Sequence, residues 1–169
     1  YKVPYRWRPM TFEVDGQEYT NERAIATQQT GFVIVPQMRN WLPDAIGGIL
    51  WFAVDDADMA VFTPVYASVT DVPECYRVGN GDLLNFSAQE VPACLSEQNG
   101  SMLEYSPTSA FWLFNRVTNF AYMRYDMISA DIRKVVDKWE NGMLETVREV
   151  DAEALSLSPK ARGKFLTAF

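Results

Sequence analysis

Three acids crowd the stretch "VDDADM": Asp55, Asp56 and Asp58. Carboxylates this close together can serve as general acid and base, or hold Ca²⁺ through their oxygens. A second polar knot, "NERAIATQQTG", places Arg23, Thr27 and Gln28 just ahead of an apolar run. Arg grips a carboxylate with two parallel bonds, and a Gln amide donates to an oxyanion or a substrate carbonyl. Arg23, Thr27 and Gln28 are therefore the candidate substrate-binding residues. The plainer alternative is a loop tied by its own hydrogen bonds. Cys75 and Cys94 are the only thiols, and histidine is absent. Without His, the commonest general base and transition-metal ligand is missing, and neither thiol has its usual activator. The two cysteines are too far apart for a CxxC site and have no partners for zinc. They are either buried thiols or a disulfide, which would stabilise the fold by about 3 kcal/mol. No glycine-rich phosphate loop, GxSxG elbow or HExxH pair occurs. The expectation is a chain with no metal and no cofactor.

The elements around the acids decide how to read them. "GILWFAV" (48–54) and "MAVFTPVYA" (59–67) both read as strands. The residues between have the length and chemistry of a hairpin connection, because an Asp carboxylate bonds nearby backbone N–H groups. No EF-hand spacing is present, so the expectation is a solvent-exposed, metal-free turn. "TFEVDGQEYT" predicts a hairpin around Asp15-Gly16. In "GFVIVPQM" (31–38), Val33, Ile34 and Val35 are consecutive, which predicts a strand buried on both faces, with Pro36 limiting its far end to an edge or bulge. Residues 70–105 lose periodicity and carry the turn clusters "GNGD" and "SEQNGS".

Helices follow. Ser106 reads as an N-cap with Pro107 at the first helical position. Phe111, Phe114, Val117, Ala121, Tyr125 and Ile128 form a stripe at helical spacing. A second stripe runs through Ile132, Val135, Val136, Trp139, Met143, Val147, Val150 and Ala154. Ser158-Pro159 opens a last helix in "SPKARGKFL". Asn115 and Asn119, four apart, either line a pocket or satisfy backbone groups of a packed helix.

The coarse reading is an α+β fold, an antiparallel sheet followed by helices, in a single domain or a fragment of one spanning 1–169. Residues 1–69 form the sheet, 70–105 an irregular connection and 106–169 the helical part. Strands apolar on both faces need cover on both sides. The helices cover one, and a second sheet would cover the other. The net charge of −7 is spread along the chain, which serves solubility and disfavours nucleic acid. No apolar run is long enough to span a membrane. The ends "YKVPYRWRP" and "KFLTAF" read as cuts through a longer protein.

The motifs also resemble a known family. "RPM", "NERAIATQQTGFVIVPQMRNWLPDAIGGILWFAVDDADMAVFTPVY" and "SAFWLFNRVTNFAYMRYDMI", in that order, resemble the cysteine dipeptidases of the N-terminal-nucleophile (Ntn) hydrolase superfamily, relatives of the secernins. The resemblance runs from about Arg8 to Ile132. It implies half of a helix–sheet–sheet–helix sandwich and a peptide-hydrolysing enzyme that cuts itself to free an N-terminal Cys. That Cys would lie upstream of Tyr1, because neither Cys75 nor Cys94 matches its position. A small peptide is the implied substrate. Self-association, or the missing N-terminal part of the same protein, is the expected partner. The alternatives are a non-catalytic ligand-binding or accessory domain, and an Ntn amidase acting on a different acyl group.

Overall fold

The computed structural model describes residues 11–20, 26–27, 29–76 and 105–169. It is an α+β arrangement in which antiparallel strands precede helices. Strands β1 (Thr11–Val14) and β2 (Gln17–Thr20) form the expected hairpin, with Val14 opposite Gln17. Asp15 and Gly16 turn the chain at φ of 52° and 79°, the positive pair that a two-residue hairpin turn requires. Phe12 and Tyr19 face one another across the strands and stack at 5.8 Å, the main side-chain contact of an otherwise exposed hairpin.

A three-stranded sheet carries the fold. β3 (Phe32–Met38), β4 (Gly48–Val54) and β5 (Thr63–Tyr66) run antiparallel in the order β3-β4-β5. A one-turn helix, α1 (Asp44–Gly47), joins the first two. Its last residue must be glycine, since a Cβ at Gly47 would lie 3.0 Å from the Arg39 carbonyl. The register places Val35 opposite Trp51, and Trp51 opposite Pro64. Paired residues share a face and successive residues alternate. Ile49, Trp51, Ala53 and Tyr66 therefore point to one side, and Phe32, Ile34, Leu50, Phe52 and Val65 to the other.

Helices α2 (Ala110–Met123), α3 (Tyr125–Ser156) and α4 (Pro159–Ala168) follow. α3 and α4 cover the first sheet face. Ile49 and Tyr66 from the sheet meet Ile46, Val147, Val150, Ala154 and Leu166 in one buried cluster. Ser158 and Pro159 open α4 as expected. Among the described residues no helix is long and apolar enough to cross a membrane.

A buried charge ties sheet to helix. Arg39 is only 8% exposed. Its guanidinium forks onto both oxygens of Asp151 on α3 and donates to the Ile46 carbonyl at 2.5 Å. The Tyr66 hydroxyl donates to Asp151 Oδ1 at 2.8 Å, so one carboxylate gathers strand, loop and helix.

Several expectations are corrected. β3 is not buried on both faces: Phe32, Ile34 and Val35 are exposed, because β3 is an edge strand and the helical cluster draws on β4 and β5. β5 begins at Thr63, not Met59. Met59 and Ala60 are buried in the preceding turn, whose N–H groups return to the Asp56 carbonyl. α2 begins at Ala110 with Ser109 at the cap. Ser106 instead closes a turn, its carbonyl accepting from Ser109 N–H at 3.3 Å. On α3, Val135 and Trp139 are exposed. Five of the eight residues of the expected stripe, Val136, Met143, Val147, Val150 and Ala154, do face inward. The apolar count left out Glu140 and Asp151 beside them, which accept from Phe62 N–H and from Arg39.

Removing one partner of a buried ion pair strands the other charge. Asp151→Ala should therefore cost about 3–5 kcal/mol, whereas the double variant Arg39→Met/Asp151→Leu should recover most of that loss. Urea denaturation of both variants checks this. Equal losses would show that the pair carries no uncompensated charge.

Candidate functional site

Gly31, at the end of the polar knot, and Asp55, first of the acids after β4, meet at one end of the sheet. Asp55 N–H donates to the Gly31 carbonyl at 2.9 Å, which extends the β3–β4 ladder one step beyond the strands.

Of the three residues expected to bind substrate, Thr27 is described, while Arg23 and Gln28 lie outside the described residues, as does Cys94. Thr27 is tied locally. Its hydroxyl lies 3.2 Å from the Thr30 hydroxyl, and its carbonyl accepts from Thr30 N–H at 3.0 Å. At Thr27 the geometry is thus that of a loop held by its own hydrogen bonds.

The acids are not the exposed turn that composition suggested. Asp56 is 0% exposed and Asp55 5%. Asp55 adopts φ of 72°, the left-handed region that Asp tolerates better than most residues. Asp56 Oδ1 accepts from Asp58 N–H at 2.7 Å, the local turn bond expected of an Asp. The other acceptors face the helices. Tyr122 on α2 donates to Asp56 Oδ2. Tyr125 on α3 donates to Asp58 Oδ2 at 2.8 Å. Arg133 pairs with the Asp58 carboxylate and donates to its carbonyl at 2.6 Å. Asn115 approaches Asp55 Oδ1 at 3.4 Å. The turn is buried because two helices lie across it, and each carboxylate accepts from at least one of them.

Sequence reasoning missed these partners. Tyr125 stands in the apolar stripe of the first expected helix, and neither Tyr122 nor Arg133 is among the candidate residues. One signal was present: Asn115, Thr118, Tyr122 and Tyr125 recur at three- and four-residue spacing, a mixed polar face that would suit buried acids. Asn119, by contrast, behaves as expected of a packed helix amide, bonding the Asn115 carbonyl at 2.8 Å.

The electrostatics follow from burial. Desolvation pushes Asp56 above its ordinary 3.8, helped by the neighbouring charges of Asp58 and Asp55 and opposed by the Asp58 N–H. Burial and the bond to Asp58 push Tyr125 up to about 12, so it remains a donor at neutral pH. Tyr66 is raised for the same reasons, with Asp151 as its acceptor. Cys75 is a free thiol, and burial raises it above its usual range. It stays protonated near pH 7 and is a poor nucleophile. Among the described residues no group of three or more His, Cys, Asp or Glu side chains is arranged to hold a metal. The acids thus brace the helices against the sheet end and present no open carboxylate pair to a substrate.

Comparison with known protein families gives first a class: residues 6–88 match the model of a peptidase family. That family is Peptidase family C69, a family of cysteine dipeptidases related to the Ntn hydrolases. The match takes in the polar knot, all five described strands and the acid turn. The helical motif from Ser109 onward lies beyond it. No curated protein and no solved structure gives a significant match.

The raised Asp56 has a consequence for pH. The folded state holds this proton more tightly than the unfolded chain does. As pH rises past 3.8, the unfolded state ionises first, and stability falls until the folded carboxyl also ionises. Asp56→Asn keeps an acceptor for Asp58 N–H and a donor for Tyr122, yet has no proton to lose. Its stability from pH 4 to 7, measured by urea denaturation, should fall less than that of the parent chain. Parallel pH profiles would show that Asp56 ionises at its ordinary value.

Proposed function

We propose that this chain is the downstream part of a cysteine-type dipeptidase whose nucleophilic Cys lies upstream of Tyr1. The observation that carries the reading is the C69 match over residues 6–88. The state of Cys75 supports it: a half-buried thiol with a raised pKa, in a chain without histidine, is unsuited to attack a peptide carbonyl. In the proposed mechanism a thiolate at a freed N-terminus attacks the scissile carbonyl. The α-amino group beside it serves as base, its ordinary pKa of about 7.7–8.0 being suited to neutral pH. Arg23 holds the substrate carboxylate, and Thr27 and Gln28 line the site.

The second sheet face supports the sandwich that such an enzyme would need. Phe32 is 63% exposed and Ile34 49%. Leu50 and Val65 continue the same face inward, partly buried, and Phe52 meets the Tyr76 ring edgewise at 5.4 Å. Burying one such side chain contributes about 1.5–3 kcal/mol, so the exposed Phe32 and Ile34 favour a covering layer. In the intact enzyme that layer is a second sheet.

Two outcomes follow. The 169-residue chain alone should not hydrolyse dipeptides, while the protein extended upstream to its first nucleophilic Cys should, with activity lost on replacing that Cys by Ala. Turnover by the short chain that Cys75→Ala abolishes would overturn the reading. The short chain should also self-associate through its open face. Sedimentation should show a concentration-dependent mass that Ile34→Lys, lying on that face, returns toward the monomer. A monomeric parent chain at high concentration would count against a missing layer.

A further inference from the structure

A hollow of about 190 Å³ opens between the first face of the sheet and α3, below the range of drug-sized ligand sites. Val35 and Trp51, opposite one another on β3 and β4, line it from the sheet. Glu140 and Leu144, one turn apart, line it from α3. Phe62, just ahead of β5, completes the wall. Val35 and Leu144 are exposed and give the hollow an apolar rim.

This lining can make only certain contacts. The Trp51 indole N–H is spent on Gln37 Oε1 at 3.0 Å, so Trp51 presents the π surface of its ring. Phe62 also presents a ring, and its backbone N–H is spent on Glu140 Oε1 at 3.2 Å. Val35 and Leu144 are aliphatic. None of the five side chains has a hydrogen-bond donor left to give. What remains is the charge of Glu140. Among the described residues the salt bridges join Arg39 to Asp151, Arg133 to Asp58 and Lys134 to Asp131, and none reaches Glu140. Its neighbours three and four positions along α3 are Val136, Asp137, Met143 and Leu144, so its own helix face supplies no cation either. A half-buried carboxylate beside apolar side chains is costly without an opposite charge.

Two aromatic rings and an unpaired carboxylate, with no donor and no cation, complement a positive charge and repel a negative one. The apolar rim narrows the choice. A bare ammonium must shed its water against Val35 and Leu144, whereas an alkylated one carries apolar surface of its own. We infer that this hollow binds an alkylated ammonium head group, whose alkyl groups lie against Trp51 and Phe62 and whose charge faces Glu140. The site shares no residue with the dipeptidase reading and needs no hydrolysis to be detected.

The test titrates the 169-residue chain with choline and with its neutral isostere, the alcohol that carries tert-butyl in place of trimethylammonium. The readout is the Trp51 indole N–H signal in the nitrogen–proton NMR spectrum, identified by its loss in Trp51→Phe. Choline should shift that signal, and the neutral alcohol should need about tenfold more for the same shift. Glu140→Gln keeps an oxygen for Phe62 N–H and should weaken choline about tenfold with the circular dichroism unchanged. Leu144→Lys, at an exposed position, sets a tethered ammonium one turn from Glu140 and should abolish the shift in an equally folded chain. Equal response to choline and the alcohol would overturn the site, leaving an apolar hollow that does not recognise charge. So would no shift with choline, or undiminished binding by Glu140→Gln. Exclusion of choline from the upstream-extended protein would also overturn it, by showing that the protein's own chain fills the hollow. None of these results depends on whether the extended enzyme hydrolyses dipeptides.

Discussion

A buried guanidinium sets the terms for this fold. Arg39 sits just past the end of β3, at the mouth of the tight connection into β4, where Gly47 leaves no room for a side chain. Its charge cannot remain there unpaired, because an isolated buried cation is costly beyond what apolar packing returns. Asp151 answers it from 112 residues away, and Tyr66 occupies the carboxylate oxygen that faces the sheet. The three fix α3 in rotation as well as distance. Once Asp151 points inward, Val147 and Ala154 must do so too, one helical turn to either side. Hydrophobic burial supplies most of the stabilisation, but it does not by itself choose among rotations of a helix whose exposed side also carries Val135, Trp139 and Leu144.

The same rotation brings Arg133 and Tyr125 over the acid turn at the far end of α3. The two polar anchorages are separated by more than four turns of helix, and the apolar cluster lies toward the Asp151 end. The helix is therefore pinned near each end by a carboxylate. One pin is strand-to-helix, through Arg39 and Asp151. The other is turn-to-helix, through Asp58 with Arg133 and Tyr125. Asp56 differs from both in meeting only hydroxyl and N–H donors and no cation. Without a cation, burial raises its pKa, while Asp58 beside Arg133 has its charge met directly. Neighbouring residues of one turn are thus set to different roles by what the helices place over them.

Local chemistry was legible in the sequence wherever a residue acts on its own backbone. Asp15-Gly16 made its hairpin, Ser158-Pro159 began its helix, and β4 spans the apolar run 48–54. Errors arose where a distant element decides. Three acids between two strands have the composition of an exposed turn, and nothing within ten residues says that Tyr122 and Tyr125 will close over them. Val33, Ile34 and Val35 have the pattern of a doubly covered strand, but cover belongs to the layer that meets the strand. On the inner face of α3 the apolar members Val136, Val147, Val150 and Ala154 were legible, but Glu140 and Asp151 were not, because only distant groups, Phe62 N–H for one and Arg39 with Tyr66 for the other, make an inward carboxylate tolerable. Of the candidate substrate residues, Thr27 alone is described, and its bonds are local.

The face and the edge of the sheet make different physical demands. The face bearing Phe32 and Ile34 offers area without direction, and any apolar layer of matching shape satisfies it. The outer edge of β5 offers little of either. Pro64 has no N–H to give, and Tyr66 is 1% exposed, so its outward N–H is closed off. Proline at an edge strand blunts association. Growth of the sheet along β5 is thus blocked by residue type and by burial, and the apolar face is left as the surface through which another layer can join.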